Sequence, residues 1–201
     1  MDLEFYYINE NHRIENRKDY KIIRIILLGS SGVGKTLFID RLITPNYIKF
    51  KELHKELHYT PLDIELEVKY QNKKYILCIQ DTAGHERYMS ISSSCCRTKD
   101  IILIFYNSLN NTFPEYSYDS AYNWIKLAKM NSRKDAIFGL IRIKYENYII
   151  KNKKEDFVPD EDVLEFADEN NFFFCHLGIF QKYETGIKEL IKKIIHQYTN
   201  K

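Results

Sequence analysis

Gly29-Ser30-Ser31-Gly32-Val33-Gly34-Lys35-Thr36 is the stretch that decides the fold. It satisfies the phosphate-loop pattern G-x-x-x-x-G-K-[ST], a match that gains force only when a strand leads in and a helix leads out. Both flanks comply: Ile22 to Leu28 is a β-branched and leucine run, and Leu37, Phe38, Arg41 and Leu42 then recur at helical spacing. Small residues let consecutive backbone N–H groups turn toward a polyphosphate, and the helix N-terminus adds partial positive charge. The expected cradle is Gly29, Ser31, Gly32, Val33, Gly34, Lys35, Thr36 and Leu37. Lys35 brings a point charge to the outer phosphates, and the Thr36 hydroxyl is placed to ligate a bridging Mg2+. A glycine turn with an ordinary helix cap is the competing reading.

At 201 residues and 44% hydrophobic content, the chain has room for one α/β domain with a full core and a short extension. Thirty basic against 28 acidic residues leave a net charge of +2, so no field of one sign points to nucleic acid or to an acidic membrane. The longest apolar runs, Ile22 to Leu28 and Ile101 to Tyr106, are too short to cross a bilayer, and no signal-peptide pattern opens the chain. A cytoplasmic protein is expected. Cys78, Cys95, Cys96 and Cys175 lack paired metal-ligand spacing and read as reduced thiols.

Residues 1–19 show no clear period and read as an N-terminal extension, with the folded domain over 20–201. From there strand-like and helix-like segments alternate. Strands are expected at Ile22 to Leu28, Ile64 to Tyr70, Tyr75 to Gln80, Ile101 to Tyr106, Ala136 to Ile143 and Phe172 to Cys175. Helices are expected at Lys35 to Leu42, Tyr118 to Met130, Asp160 to Glu169 and Thr185 to His196. This order implies an α/β fold of the P-loop NTPase kind: a mostly parallel central sheet, one antiparallel edge strand from the early hairpin, and helices on both faces. Ligands of such sheets bind at the carboxyl ends of the strands, where the glycine loop lies.

A second motif, Asp81-Thr82-Ala83-Gly84-His85-Glu86-Arg87-Tyr88, directly follows the second hairpin strand. A carboxylate there can hold a water of Mg2+, and the Gly84 N–H can meet a terminal phosphate. Together the two motifs resemble the small GTPases of the Ras superfamily, a Ras-like G domain, and most closely the Rab branch. Glu86-Arg87-Tyr88, Ile91-Ser92-Ser93-Ser94, Arg97, the strand ending at Tyr106, Phe113 and Trp124 fall where a Rab has its equivalents. The resemblance spans about Lys21 to Gln197 and is more specific in its first half. It implies that Tyr47, eleven residues after Thr36, stacks on the guanine base and that Thr60 joins Thr36 and Asp81 around Mg2+. The segment between Tyr47 and Thr60 is longer than in ordinary members, and Pro61-Leu62-Asp63-Ile64 replaces the Rab glycine–phenylalanine signature after Thr60, so effector choice should differ.

Four further departures matter. His85 stands where most Rabs carry the glutamine that orients the attacking water; a neutral imidazole can position water, with slow turnover expected. The guanine-reading Asn-Lys-x-Asp aligns with Ile143-Lys144-Tyr145-Glu146. Lys144 can cover the base and the Glu146 carboxylate can accept from its N1 and N2 donors, but Ile143 replaces no hydrogen bond of asparagine. Losing one buried polar contact costs roughly 1 to 3 kcal/mol, or about one to two powers of ten in affinity. The Ser-Ala-Lys motif aligns with Gly178-Ile179-Phe180 and is lost. Finally, Tyr198-Thr199-Asn200-Lys201 offers no prenylation cysteine.

The resemblance therefore implies a monomeric GTP/GDP switch in vesicle trafficking, with exchange factor, activating protein and effectors as partners. Contact with membrane is expected only indirectly, at the cytosolic face of endomembranes, and none with nucleic acid. The competing possibility is a nucleotide-bound, catalytically silent pseudo-GTPase serving as a protein-binding module. A small P-loop kinase leaves Asp81-Thr82-Ala83-Gly84 unexplained.

Overall fold

A computed structural model of the protein describes residues 3–9, 12–44, 63–107, 118–143, 160–178 and 186–201. Its strands are β1 (Glu4–Tyr7), β2 (Lys21–Leu28), β3 (Asp63–Tyr70), β4 (Lys73–Gln80), β5 (Ile101–Asn107), β6 (Ile137–Ile143) and β7 (Phe173–Leu177). Its helices are α1 (Lys35–Ile43), α2 (Met89–Ser94), α3 (Tyr118–Asn131), α4 (Asp160–Glu169) and α5 (Ile187–Thr199).

All seven strands form one sheet in the order β1-β3-β4-β2-β5-β6-β7. β2, β4, β5, β6 and β7 pair in parallel, while β3 pairs antiparallel with both β4 and β1. The parallel strands are near-continuous apolar runs because they are covered on both faces. On one face α1 and α5 bury Phe38, Ile39, Leu42, Ile187, Leu190, Ile191 and Ile194 against Ile25, Leu27, Leu103 and Ile141. On the other, α3 and α4 bury Ala121, Trp124, Ile125, Val163 and Ala167 against Ile26, Leu28, Ile104 and Leu140. Alternate residues of one strand thus serve opposite cores.

The register sets up the site. Ile26 of β2 lies beside Gln80 of β4, so the glycine loop after Leu28 and the acidic motif after Gln80 leave the sheet side by side.

β1 is an addition that periodicity did not reveal. Four residues are too few for a pattern to stand out, and the strand exists because β3 offers it an edge: Glu4 to Tyr7 pair with Lys69 to Leu66. The chain leaving β1 crosses toward β2 and is pinned to β3 by side chains. Tyr20 donates its hydroxyl to Glu67 Oε1 at 2.6 Å, His12 Nε2 lies 2.7 Å from Glu67 Oε2, and Arg17 donates to Glu65 at 2.5 Å. Glu67 is buried, which pushes its carboxyl pKa up, but the bonds from Tyr20 and His12 and the charge of Lys69 outweigh burial and hold it below the usual carboxylate range. Its stabilising contribution is therefore present at neutral pH and lost as pH falls through that lowered value. Glu67→Ala is expected to cost about 1 to 3 kcal/mol by stranding these partners, read as a lower urea midpoint at neutral pH that converges on the parent in acid.

Candidate functional site

The loop between β2 and α1 bends in a way that side chains resist. Gly29, Gly32 and Gly34 all have positive φ, at 137°, 77° and 103°. At Gly29 an added Cβ would also run into the Phe105 carbonyl oxygen and come within 3.2 Å of Val33 Cγ2, so strand β5 packs directly on the first turn. Val33 is fully buried and Leu37 packs against the core, so the backbone is what these two positions can present to a ligand. Ser31 is half-buried, and Gly32 and Thr36 are exposed.

Lys35 is 5% exposed and donates from Nζ to the carbonyls of Gly29, at 2.7 Å, and Ser30, at 2.9 Å. Burial lowers its pKa from 10.5 to about 8, against the opposing pull of Asp81. A cation bonded to neutral carbonyls in a desolvated loop is poorly compensated, and an anion arriving at the loop restores the balance.

Thr36 Oγ1 donates to Asp81 Oδ2 at 2.6 Å, and the Thr82 N–H donates to Asp81 Oδ1 at 2.9 Å. Thr82 Oγ1 in turn donates to the Leu27 carbonyl at 2.7 Å, which ties the acidic motif to β2. Burial raises the Asp81 pKa; the Thr36 hydroxyl, Lys35 and the Thr82 N–H lower it, and Asp40 raises it further. A hydroxyl beside a carboxylate is a hard-oxygen pair, the donor set that suits Mg2+, a cation that keeps several waters and takes one or two carboxylates plus phosphate oxygens. Among the described residues no group of three or more carboxylates, thiols and imidazoles gathers to bind a metal.

Gly84 lies on the loop itself. A Cβ there would stand 2.5 Å from the Ser30 carbonyl carbon and 2.6 Å from its oxygen, so the second motif touches the first through main chain. His85 beyond it is exposed, and its carbonyl accepts from the Tyr88 N–H at 2.9 Å.

The structure thus gathers Gly29, Ser31, Gly32, Gly34, Lys35, Thr36, Asp81 and Gly84 at the carboxyl ends of β2 and β4. Tyr47, Thr60, Lys144 and Glu146 lie outside the described residues. Ile143 is described: it ends β6 fully buried in the apolar core, so the position aligned with the family's asparagine has no polar group to offer. Ser30 went unnoticed in the sequence. Its hydroxyl reaches α3, a contact that no spacing rule encodes.

A glycine loop after the first long parallel strand, a buried lysine at a helix N-terminus and a hydroxyl–carboxylate pair define a P-loop nucleotide-binding protein. Residues 24–200 match the Ras family, and the chain belongs to that family as a divergent, Rab-like small GTPase. Relatives include the Ras-related protein RABG1 of Arabidopsis thaliana, 38% identical over 51% of this chain and 46% of that protein. GTP-binding protein yptV2 of Volvox carteri is 28% identical over 88% of this chain and 73% of its own length. Ras-related protein Rab-3D of Mus musculus is 27% identical over 88% and 74%. The chain therefore spans less than half of RABG1 and about three quarters of the other two.

Proposed function

We propose that this protein is a guanine-nucleotide switch with slow intrinsic GTP hydrolysis, acting in vesicle trafficking at the cytosolic face of endomembranes. One observation carries the reading: a desolvated Lys35 and a Thr36–Asp81 pair converge where a polyphosphate and its Mg2+ are held in the family. The nucleotide-binding domain is assigned to 20–201, and the preceding extension 1–19 adds strand β1 to the edge of its sheet. The partners are an exchange factor, an activating protein and effectors, which read the order of the two segments around Thr60 and His85.

In this reading Gly29 to Thr36 hold the phosphates through main-chain N–H groups, and Lys35 neutralises their charge. Thr36 and Thr60 hold Mg2+ directly and Asp81 through water, while Tyr47, Lys144 and Glu146 hold the base. Mg2+, when bound, neutralises charge developing on the phosphate oxygens. Gly84 presents its N–H to the terminal phosphate, and His85 orients the attacking water.

The test is to purify the protein, identify the nucleotide that accompanies it, and follow phosphate release from GTP and ATP in parallel. Release from GTP alone supports the switch; no bound nucleotide under any condition removes the reading. His85→Gln is expected to raise the single-turnover rate roughly tenfold, since water positioning is what the imidazole does poorly here. An unchanged or lower rate in stopped-flow phosphate release would show that His85 does not limit hydrolysis.

The apolar Ile143 favours a second reading. A protein that reads guanine weakly and turns over slowly works as a nucleotide-filled binding module, and bound nucleotide with no release from GTP selects that role.

A further inference from the structure

Trp124 is the chain's single tryptophan, and it is fully buried on the α3 side of the sheet. Its ring packs in the apolar core, but its indole N–H, which can only donate, needs an acceptor in that dry setting. The acceptor is in the phosphate loop: Nε1 lies 3.3 Å from Ser30 Oγ. Ser30 is 7% exposed and donates its own hydrogen to Ser120 Oγ, on the first turn of α3, at 3.1 Å. Two side chains four residues apart on one face of α3 thus grip one hydroxyl of the loop.

That residue is also where the rest of the site meets. The Ser30 carbonyl is one of the two acceptors of Lys35 Nζ, and the peptide linking Ser30 to Ser31 is what Gly84 rests on. Moving Ser30 therefore disturbs both the phosphate-binding ammonium and the seat of the second motif. Helix α2, which carries the second motif onward, packs against α3 as well, and Ser92 of α2 donates to the Ala83 carbonyl at 3.3 Å. The Ser30 hydroxyl thus ties the loop to α3, and the Ala83 carbonyl ties the acidic motif to α2.

We propose that Trp124 is a positioning residue for nucleotide retention, acting through Ser30, and that its fluorescence reports whether the phosphate loop is filled. The proposal rests on the reading that the loop holds a guanine nucleotide. Trp124 touches no ligand; it sets where the Ser30 carbonyl, and hence Lys35, stands.

The experiment uses the full chain with its accompanying nucleotide. Content is first read by chromatography of the denatured protein, then release is followed with a fluorescent GDP chased by excess GDP. Ser30→Ala, which strands the indole N–H, and Trp124→Phe, which removes that donor, are each expected to speed release roughly tenfold, the effect of losing one buried hydrogen bond. The double variant is expected to release no faster than the quicker single one, because both remove the same bond; independent packing losses would multiply instead. In the parent, stripping Mg2+ and nucleotide with a chelator is expected to shift tryptophan emission, and Ser30→Ala is expected to abolish that shift. Should Trp124→Phe prove unstable, Ser30→Ala alone decides, since it removes one oxygen and no ring. Release within twofold of the parent, or an emission shift retained in Ser30→Ala, overturns the proposal. A parent that carries no nucleotide fails at the first measurement and overturns the functional reading together with it.

Discussion

Lys35→Ala is expected to leave the purified protein empty of nucleotide. The side chain makes two bonds to loop carbonyls and carries the charge the phosphates meet, so its removal loses charge-assisted contacts worth about 4 kcal/mol, or roughly three powers of ten in affinity. Nucleotide content after purification checks it, and unaltered content would discard the loop as the binding site.

The same residue makes a separate prediction about pH. Burial lowers the Lys35 pKa from 10.5 to about 8. Between those values the unfolded chain holds a proton that the folded chain has released, so stability rises with pH across that window, by at most about 3 kcal/mol. Phosphate charge at the loop favours the ammonium and flattens the rise. Melting temperature against pH, with and without nucleotide, measures this. Lys35→Ala isolates the contribution, because every other titratable group remains in the variant.

Gly84→Ala is expected to slow GTP cleavage about 100-fold while nucleotide stays bound, since small misplacements of a reacting group cost that much. Gly84 is outside the positive-φ set, so alanine meets no backbone strain there. The conflict is contact alone: the new methyl group would overlap the Ser30 carbonyl, which is main chain and cannot rotate aside. The second motif must lift from the loop, taking its N–H and His85 away from the place proposed for the terminal phosphate. Single-turnover phosphate release with parallel GDP titration separates the two effects, and a parent-like rate in the variant would show that the close approach has no part in the chemistry.

The phosphate loop was legible because it is contiguous: a strand, three glycines with positive φ, a lysine and a hydroxyl follow one another, and local backbone geometry leaves few other residues able to make that turn. Asp81 was legible for a related reason, since it follows a strand whose position in the sheet the βα alternation fixes. The parallel strands and the amphipathic helices could be read from periodicity, to within a few residues at their ends: α5 runs Ile187–Thr199 where Thr185 to His196 is expected. β1 could not, because a four-residue strand is selected by the edge it joins rather than by its own pattern.

The order of residues alone determined the class of this protein, a Ras-family P-loop domain, and singled out the residues proposed here to hold phosphate and metal. Tertiary structure decided what surrounds them. Glu67 became a buried anchor for the segment after β1, Ile143 was committed to the apolar core, and Trp124, 94 residues along the chain from Ser30, came to bond the phosphate loop. The division has a physical cause. Backbone turns and helix starts are settled by neighbours in the chain, whereas the partner of a buried donor is settled by packing, which brings together residues that no local pattern relates.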